Sequence, residues 1–260
     1  MKKIFFALFL QSLAFIASAQ DKSAYEKHWM TRGKDTLPYR VLLPKNYDAS
    51  KEYPLILVLH GSGERGRDNE AQLVHGWRLF LQDSIRDRYP AIVVFPQCPA
   101  DSYWAQVEFS YDTVTRKTTY DFPLESQPTV AMKMLLQLLD ELEDKYKLDD
   151  DRYYVGGLSM GGMGTFELVR RKPRMFAAAF PICGGANPAT SNKLDKTAWW
   201  IFHGLKDDVV PPHHSQEMAD ALKAAKAEVK LTLYPDANHN SWDPAFAEKD
   251  LLPWLFSKKN

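Results

Sequence analysis

The segment around Ser159 constrains the fold more than any other part of the chain. Residues 157–161, Gly-Leu-Ser-Met-Gly, match the pattern Gly-x-Ser-x-Gly. Residues 152–155 before it form a strand-like run, and residues 160–171 after it have a helical pattern that stops before Pro173. A strand, a tight glycine-flanked turn and a helix in this order hold a serine hydroxyl clear of a sheet. We therefore expect Ser159 to be a nucleophile; a glycine-rich turn that happens to hold a serine is the alternative.

The rest of the chain alternates between short apolar runs and helical patterns, which is typical of α/β proteins. The predicted strands are 55–59, 91–95, 152–155, 176–182, 199–202 and 229–234. The predicted helices are about 70–85, 129–146, 160–171, 212–226 and 244–257. We expect one domain over residues 20–260, with a mostly parallel central sheet, helices on both faces and antiparallel strands such as 39–43 at one edge.

The connection 99–128 breaks this alternation. It is polar and aromatic, and it has neither a helical nor a strand period. So long a stretch without regular structure inside a domain is usually a functional loop or a lid. We therefore expect this connection to be a loop that shapes the pocket.

A serine hydroxyl is a weak nucleophile near neutral pH, so it needs a general base and an acid that orients the base. After a strand–turn–helix nucleophile, the acid and then the histidine follow on loops behind later strands. The loop after strand 199–202 contains Asp207 and Asp208, and His239 follows the last predicted strand. His239 is therefore the candidate base, with a structural histidine as the alternative. Both aspartates are candidates for the acid, and Asp208 could instead cap the next helix.

Loop 60–66, His-Gly-Ser-Gly-Glu-Arg-Gly, directly follows the apolar run 55–59. Negative charge would develop on the carbonyl oxygen that the serine attacks, and preorganised backbone N–H groups stabilise such a charge. The residue after the nucleophile, Met160, supplies one N–H by its position. Ser62 is the candidate for the second oxyanion-hole donor, and Gly63 is the alternative.

Several side chains near these loops are candidates for substrate contact or for its support. Trp104 and Trp242 could form an aromatic wall for a sugar or an aryl group, with plain packing as the alternative. Segment 181–185 ends a predicted strand near the expected site and is predicted to line the pocket. Glu64 and Arg65 are expected to support their loop through an ion pair and not to bind substrate.

The first nineteen residues have the three parts of a signal peptide. Lys2 and Lys3 are followed by an apolar stretch at 4–16 and by Ala-Ser-Ala at 17–19. We expect removal of residues 1–19 and export to the periplasm or out of the cell. An N-terminal helix of the mature protein is the alternative.

Composition limits the classes of partner. The chain has 33 basic and 33 acidic residues and no long block of one sign. This balance argues against a nucleic-acid surface or a polybasic membrane anchor, and it favours a neutral or weakly charged substrate, such as a small-molecule or oligosaccharide ester, over a polyanion. The strands before Cys98 and Cys183 are not expected to be neighbours, so two buried free thiols are favoured over a disulfide. Without a cluster of metal ligands or a phosphate loop, no cofactor or metal is expected.

Six motifs along the chain resemble those of one enzyme family. In order, HGSGERG, PQCP, GLSMGG, PICGG, HGLKDDVVP and a late Asn-His pair resemble secreted esterases related to feruloyl and acetylxylan esterases. These include carbohydrate esterase family one and polyhydroxybutyrate-depolymerase-like enzymes, and relatives are often labelled predicted peptidases or phospholipase/carboxylesterases. The resemblance covers roughly residues 35–258 and implies an α/β-hydrolase fold.

The resemblance also implies an activity. Asp207 occupies the acid position of the pattern H-G-x-x-D-x-x-V-P, so the implied catalytic triad is Ser159, Asp207 and His239, without a cofactor. The implied enzyme is a serine carboxylesterase that removes acyl groups such as acetyl or feruloyl from carbohydrate. Two other functions stay open: a serine peptidase of the prolyl-oligopeptidase type, and an inactive binding protein on a hydrolase scaffold.

Overall fold

The structure, a computed structural model, describes residues 22–260, so the predicted signal peptide lies outside the described residues. The strands are β1 (Glu26–Arg32), β2 (Asp35–Leu42), β3 (Tyr53–Leu59), β4 (Ile92–Pro96), β5 (Glu108–Asp112), β6 (Lys117–Asp121), β7 (Leu148–Leu158), β8 (Ala178–Ile182), β9 (Ala198–Gly204) and β10 (Val229–Tyr234). The α-helices are α1 (Trp77–Leu81), α2 (Asp83–Arg88), α3 (Val130–Lys145), α4 (Met160–Arg171), α5 (His213–Ala224), α6 (Trp242–Phe246) and α7 (Leu251–Phe256). Within residues 22–260 no helix is both long enough and apolar enough to cross a membrane.

Eight of these strands form one sheet in the order β1-β2-β4-β3-β7-β8-β9-β10. From β4 to β10 neighbouring strands run parallel, whereas β1 and β2 add antiparallel strands at one edge. The strands β3, β4, β8 and β9 are buried along their whole length, which requires cover on both faces of the sheet. The predicted α/β architecture is confirmed, including the antiparallel edge.

The two faces of β3 belong to two separate hydrophobic cores. Leu55, Leu57 and Leu59 pack with α3, α4 and α5 in one core, and Ile56 and Val58 pack with α1 and α7 in the other. Side chains alternate between faces because a strand has a period of two residues. A shift of register by one residue would move every one of these side chains to the opposite core. The register of β3 is therefore strongly specified.

The candidate functional segments gather at one edge of the sheet. Ser159 follows β7, Asp207 follows β9, His239 follows β10, and loop 60–66 follows β3. All four strands are parallel, so their carboxyl ends meet at the same edge. Residues that are up to 179 positions apart in the sequence are brought together in this way.

The predicted helices 70–85 and 244–257 are wrong in extent, because each is broken. The first consists of a 3-10 turn followed by α1 and α2, and Gly76 has a φ of 76° in the left-handed region. A side chain at Gly76 would lie 2.6 Å from the ring of Phe246, so only glycine fits there. The second consists of α6 and α7. Pro253, which lacks an N–H, lies in the first turn of α7, where no intrahelical donor is needed.

The connection 99–128 contains regular structure, which corrects the prediction of a loop without it. Strands β5 and β6 pair antiparallel in a hairpin separate from the main sheet, and we call β5, β6 and the turn between them the outer hairpin. At its turn the carboxylate of Asp112 accepts hydrogen bonds from the N–H groups of Val114 and Thr115. Every residue of β5 is exposed, so it lacks the buried apolar face by which strands are recognised in a sequence.

The two cysteines are buried and free. Cys98 follows β4 and Cys183 follows β8, and strands β3 and β7 lie between those two strands in the sheet. Neighbouring strands are about 4.8 Å apart, so this separation exceeds the span of a disulfide. The prediction of two free thiols is confirmed.

Candidate active site

Ser159 lies at a strained turn between β7 and α4. Its backbone has φ 53° and ψ −117°, a conformation that is uncommon for a residue with a side chain. A Cβ atom added at Gly161 would lie 2.0 Å from the carbonyl oxygen of Leu59, and one at Gly157 would lie 2.5 Å from the same oxygen. The two glycines therefore let the start of α4 approach β3 closely. Ser159 donates its backbone N–H to the carbonyl of Ile182 at 2.8 Å, which ties the turn to β8.

Two hydrogen bonds connect the three predicted triad residues. The Oγ atom of Ser159 lies 2.9 Å from Nε2 of His239, and Nδ1 of His239 lies 2.8 Å from Oδ2 of Asp207. Because a carboxylate only accepts hydrogen bonds, Nδ1 carries the proton and donates it to Asp207. Nε2 is then the ring nitrogen with the free lone pair, and it accepts the hydroxyl proton of Ser159. This is the tautomer that a general base requires.

The carboxylate of Asp207 is buried and held by several donors. Its Oδ1 atom accepts from the N–H groups of Val209 at 3.0 Å and Val210 at 2.9 Å. Burial alone would raise the pKa of Asp207, but hydrogen bonds from His203 and His239 hold that pKa well below its usual range. Asp207 therefore stays ionised at neutral pH, as a residue that stabilises an imidazolium must.

Asp208, the competing aspartate, is exposed and is not bonded to His239. The alternative role of Asp208 as a cap of the next helix is contradicted, because α5 begins after Pro212 without a side-chain cap. Pro212 takes the helical conformation itself, which the fixed φ of proline favours. The choice between the two aspartates thus depends on which of them the loop turns inward.

His203 is a supporting residue whose partner the sequence did not reveal. It is fully buried, and its Nε2 atom lies 2.8 Å from the carbonyl oxygen of Val210 and 3.2 Å from Oδ2 of Asp207. Its Nδ1 atom lies 2.7 Å from Oγ of Ser215. His203 therefore connects the acid loop to α5. In the sequence, only the position of His203 four residues before Asp207 could have indicated that it supports the acid loop.

The oxyanion loop 60–66 is anchored by His60. Nε2 of His60 accepts the backbone N–H of Cys98 at 2.9 Å, so Nδ1 carries the proton and donates to the carbonyl of Gly61 at 2.6 Å. Burial lowers the pKa of His60 to about 4, which keeps this neutral tautomer at physiological pH. The segment after β4 therefore fixes the position of the loop, although the sequence alone assigned His60 no role.

Glu64 and Arg65 support the oxyanion loop, but they do not pair with each other as expected. Arg65 donates to the carbonyl of Ser62 at 2.9 Å and to the carbonyl of Ala100 at 3.2 Å. The carboxylate of Glu64 faces His75 at 3.8 Å instead. Arg65 is therefore engaged within the protein, and the largely buried carboxylate of Glu64 lies beside His75. Ser62 itself is exposed in a 3-10 turn, and Met160 is the first residue of α4.

The two candidate tryptophans have different environments. Trp104 is fully buried, and it packs so closely on Gly164 that a Cβ atom added at Gly164 would lie 2.4 Å from the Cβ atom of Trp104. The prediction that Trp104 forms a substrate-facing wall is therefore wrong, because its ring packs inside the core. Trp242 is partly buried, and its ring centroid lies 5.4 Å from that of His239 and 5.0 Å from that of His75. Trp242 thus lies beside the candidate base and stays a prediction for substrate contact.

Segment 181–185 lies directly behind the candidate triad. Cys183 has a φ of 41°, and its buried Sγ lies within 4.8 Å of the nearest ligand atoms of Asp207 and His239. Burial raises the pKa of the Cys183 thiol, so it is a neutral packing group and not a nucleophile. Gly185 contributes with Phe122 to the wall of a small cavity that includes none of the candidate triad residues, so the lining role of segment 181–185 stays a prediction.

Comparisons with known proteins agree with this geometry. The sequence profile of the Phospholipase/Carboxylesterase family matches residues 46–249. A bifunctional acetylxylan esterase/xylanase of Neocallimastix patriciarum is 27% identical over 158 residues, which are 60% of this chain and 20% of that protein. A probable feruloyl esterase C of Aspergillus terreus is 24% identical over 214 residues, or 81% of this chain and 71% of that protein. A solved thermostable esterase is similar with a TM-score of 0.81 and 29% identity, over 92% of this chain and 64% of that one.

The chain spans about a fifth of the length of the bifunctional relative and less than two thirds of the solved esterase, so it corresponds to a part of each. The similarity to the solved esterase, together with the eight-stranded sheet, confirms the α/β-hydrolase fold. The family match includes Ser159, Asp207, His239 and the oxyanion loop. The chain therefore belongs to the Phospholipase/Carboxylesterase family.

Proposed function

We propose that this protein is a serine hydrolase that cleaves carboxylic esters through an acyl-enzyme. Ser159 is the nucleophile, His239 the general base and acid, and Asp207 the carboxylate that orients the base. One observation carries the proposal: the 2.9 Å and 2.8 Å hydrogen bonds that connect Ser159, His239 and Asp207 at a strained strand–helix turn. Nucleophile, base and orienting acid in hydrogen-bond contact are the arrangement that activates a serine hydroxyl.

In the first half-reaction Oγ of Ser159 adds to the carbonyl carbon of the ester while its proton moves to Nε2 of His239. The ionised carboxylate of Asp207 stabilises the imidazolium that forms. The tetrahedral intermediate then breaks its bond to the alcohol oxygen, and His239 donates its proton to that oxygen. The alcohol leaves, and the acyl group stays on Ser159.

In the second half-reaction a water molecule takes the place of the alcohol. His239 removes a proton from the water as its oxygen adds to the acyl carbon. Collapse of this second intermediate breaks the bond to Oγ of Ser159, which recovers its proton from His239. The carboxylic acid leaves, and the enzyme returns to its starting state.

We assign the backbone N–H groups of Met160 and Ser62 to the oxyanion hole. Met160 begins α4, where N–H groups lack intrahelical acceptors and the helix dipole favours negative charge. The anchoring of the second loop by His60 and Arg65 supports a preorganised donor at Ser62. The loss of one such donor typically raises the barrier by about 3 kcal/mol.

We further propose acylated carbohydrate, with acetyl or feruloyl groups, as the substrate class. The names of two relatives, an acetylxylan esterase/xylanase and a probable feruloyl esterase, support this assignment. The ring of Trp242 beside His239 could stack on a sugar or an aryl group. We also propose that residues 1–19 are a signal peptide and that the single domain 20–260 acts in the periplasm or outside the cell.

A peptidase with the same triad is the main alternative function. An exopeptidase needs charged groups that are free to hold a substrate terminus. Glu64, Arg65 and the connection 99–128 are the places where such groups could lie, but Arg65 is bonded to backbone carbonyls and the largely buried carboxylate of Glu64 faces His75. This favours the ester reaction. The intact hydrogen bonds between Ser159, His239 and Asp207 likewise argue against an inactive binding protein.

Hydrolysis of three substrates by the purified protein and by Ser159→Ala tests the proposal. We expect turnover of p-nitrophenyl acetate and methyl ferulate that Ser159→Ala abolishes, and little cleavage of an aminoacyl p-nitroanilide. The rate ratio of acetate to ferulate measures the size of the acyl pocket. Preferred cleavage of the anilide would favour the peptidase, and full activity in Ser159→Ala would refute the assignment of the nucleophile.

A further inference from the structure

A second cluster of metal-ligating side chains lies at the start of α5, outside the candidate triad, although no such cluster was expected from the sequence. It consists of His213, His214 and Glu217, and we call it the α5 cluster. One ring nitrogen from each histidine and one carboxylate oxygen of Glu217 all lie within 4.8 Å of one another. Two imidazoles and a carboxylate form a ligand set that binds Zn²⁺ in proteins, with water at the fourth position.

The helix geometry suits a shared ion. His213 and Glu217 are four residues apart, so they lie on the same face of α5. The rings of His213 and His214 have centroids 4.0 Å apart. A tetrahedral ion with bonds near 2.1 Å holds its ligand atoms about 3.4 Å apart, so atoms that lie within 4.8 Å of one another need to approach by at most about 1.4 Å. His213 and Glu217 are exposed and can make this adjustment by small changes of side-chain torsion.

The ligand groups of the α5 cluster have no competing polar partners. In the part of the chain that the structure describes, no hydrogen bond or ion pair engages the side chains of these three residues. The ring of His214 also makes edge-on contacts with the rings of Tyr120, at a centroid distance of 5.9 Å, and Phe122, at 5.4 Å. One ligand is therefore preoriented by packing, and all three retain their lone pairs for an ion.

The other possible ligand cluster is less suited to an ion. Cys183, Asp207 and His239 also have ligand atoms within 4.8 Å of one another. The Asp207 and His239 atoms in question are already bonded to each other at 2.8 Å. Burial raises the pKa of Cys183, which disfavours the thiolate that a metal needs. An ion there would have to displace the hydrogen bonds of the candidate triad.

We propose that the α5 cluster is a binding site for a divalent transition-metal ion such as Zn²⁺. His213, His214 and Glu217 are the protein ligands, and water completes the coordination. The site lies beside the outer hairpin, because the ring of His214 contacts the ring of Tyr120 in β6. This site is independent of ester hydrolysis, so its test does not depend on the proposed function.

Isothermal titration of the purified protein with zinc chloride tests the site. We expect one ion per chain, and we expect His213→Ala and Glu217→Gln each to weaken its affinity by about tenfold or more. Asp220→Asn is the matched control, because Asp220 is an exposed acid on the same helix outside the cluster. It should bind zinc like the unmodified protein. Absence of binding, or unchanged affinity in both ligand variants, would overturn the proposal.

Two further measurements separate the α5 cluster from the triad. Excess zinc should raise the melting temperature of the unmodified protein but not that of His213→Ala, because only an ion bound to the folded state stabilises it. His239→Ala removes a ligand from the competing cluster and should keep the zinc affinity. Loss of binding in His239→Ala with retention in His213→Ala would assign the ion to the triad cluster and refute the α5 site.

Discussion

The turn that holds Ser159, residues 157–161, and the outer hairpin lie near the same site, but their contacts restrain them to very different degrees. We call the first of these regions the nucleophile turn. At the nucleophile turn, a single added carbon at Gly161 would lie 2.0 Å from a backbone oxygen of β3. In the outer hairpin, all of β5 is exposed, and Val114 at the turn is 89% exposed. Close packing restrains both the backbone and the residue types of the nucleophile turn. The exposed outer hairpin has few contacts that would restrain its residue types. The proposed catalytic residues are thus built into the core, whereas the outer hairpin, which we expect to adjust substrate selection, lies on the surface.

The two regions also differ in the type of contact that connects them to the rest of the domain. The carboxylate of Asp207 and the ring of His203 are both buried and hydrogen-bonded. The outer hairpin contacts the rest of the domain through aromatic edges, namely those of Phe109 with Tyr103 and of Tyr120 with His214. Such contacts are individually weak and adaptable. Changes in the first region should therefore abolish activity or folding, and changes in the second should only adjust specificity.

The largest effect is expected from Asp207→Asn, which should lower kcat by a factor of about 10⁴. Asparagine can donate a proton where Asp207 accepts one, so it favours the wrong tautomer of His239 and cannot stabilise the imidazolium. Asp208→Asn is the matched control and should keep nearly full activity, because Asp208 is exposed. Initial rates with p-nitrophenyl acetate measure both variants. A similar loss in the two variants would mean that the acid has been assigned wrongly.

Substitution of glycine by alanine compares the crowded turn with an open loop. Gly161→Ala should lower the free energy of unfolding by about 3 kcal/mol, since backbone atoms must move to admit the methyl group. The Cβ atom that Gly63→Ala adds would have no other atom within 4 Å, so this substitution should change the free energy of unfolding by less than about 0.5 kcal/mol. Urea denaturation gives both values. Equal effects would show that the nucleophile turn is less restrained than the distances indicate.

The buried His60 predicts a pH dependence of stability. Burial lowers its pKa to about 4 in the folded protein, against 6.5 for a free histidine. The unfolded chain therefore binds a proton more readily between these values, so stability is complete above pH 6.5 and falls as the pH approaches 4. The expected loss is about 3 kcal/mol, measured by denaturation at pH 7 and pH 4.5. Burial also lowers the pKa of His214 to about 4, but this side chain is only half-buried and solvent screens its charge, so His60→Gln should flatten the dependence more than His214→Gln. An unchanged slope in His60→Gln would contradict the prediction.

The smallest effect is expected in the outer hairpin. Phe109→Ala removes two edge-on ring contacts and should cost at most about 1 kcal/mol of stability. We expect KM for methyl ferulate to rise by about two- to fivefold with kcat unchanged, because only uniform binding is lost. Val114→Ser is the control and should alter neither quantity. A loss of kcat in Phe109→Ala comparable to that of Asp207→Asn would remove the distinction between the two regions.

Local sequence was sufficient to predict a strand or a helix where the hydrophobic pattern or the steric limits of the segment itself determine its structure. Strand β3 was predicted from a continuous apolar run, because a strand covered on both faces has no polar side. The outer hairpin and the breaks in the helices were missed for a related reason. An exposed strand has no hydrophobic period, and the break at Gly76 depends on contact with the ring of Phe246, 170 positions later.

The sequence by itself determined the α/β architecture and the identity of Ser159 and His239 as candidates, because short motifs and the order of strands already specify both. The tertiary structure decided which aspartate faces His239, that Trp104 belongs to the core and that Glu64 and Arg65 do not pair. Those outcomes depend on burial and on partners far along the chain, such as Gly164 against Trp104. No local pattern contains that information, since it arises only when distant segments pack together.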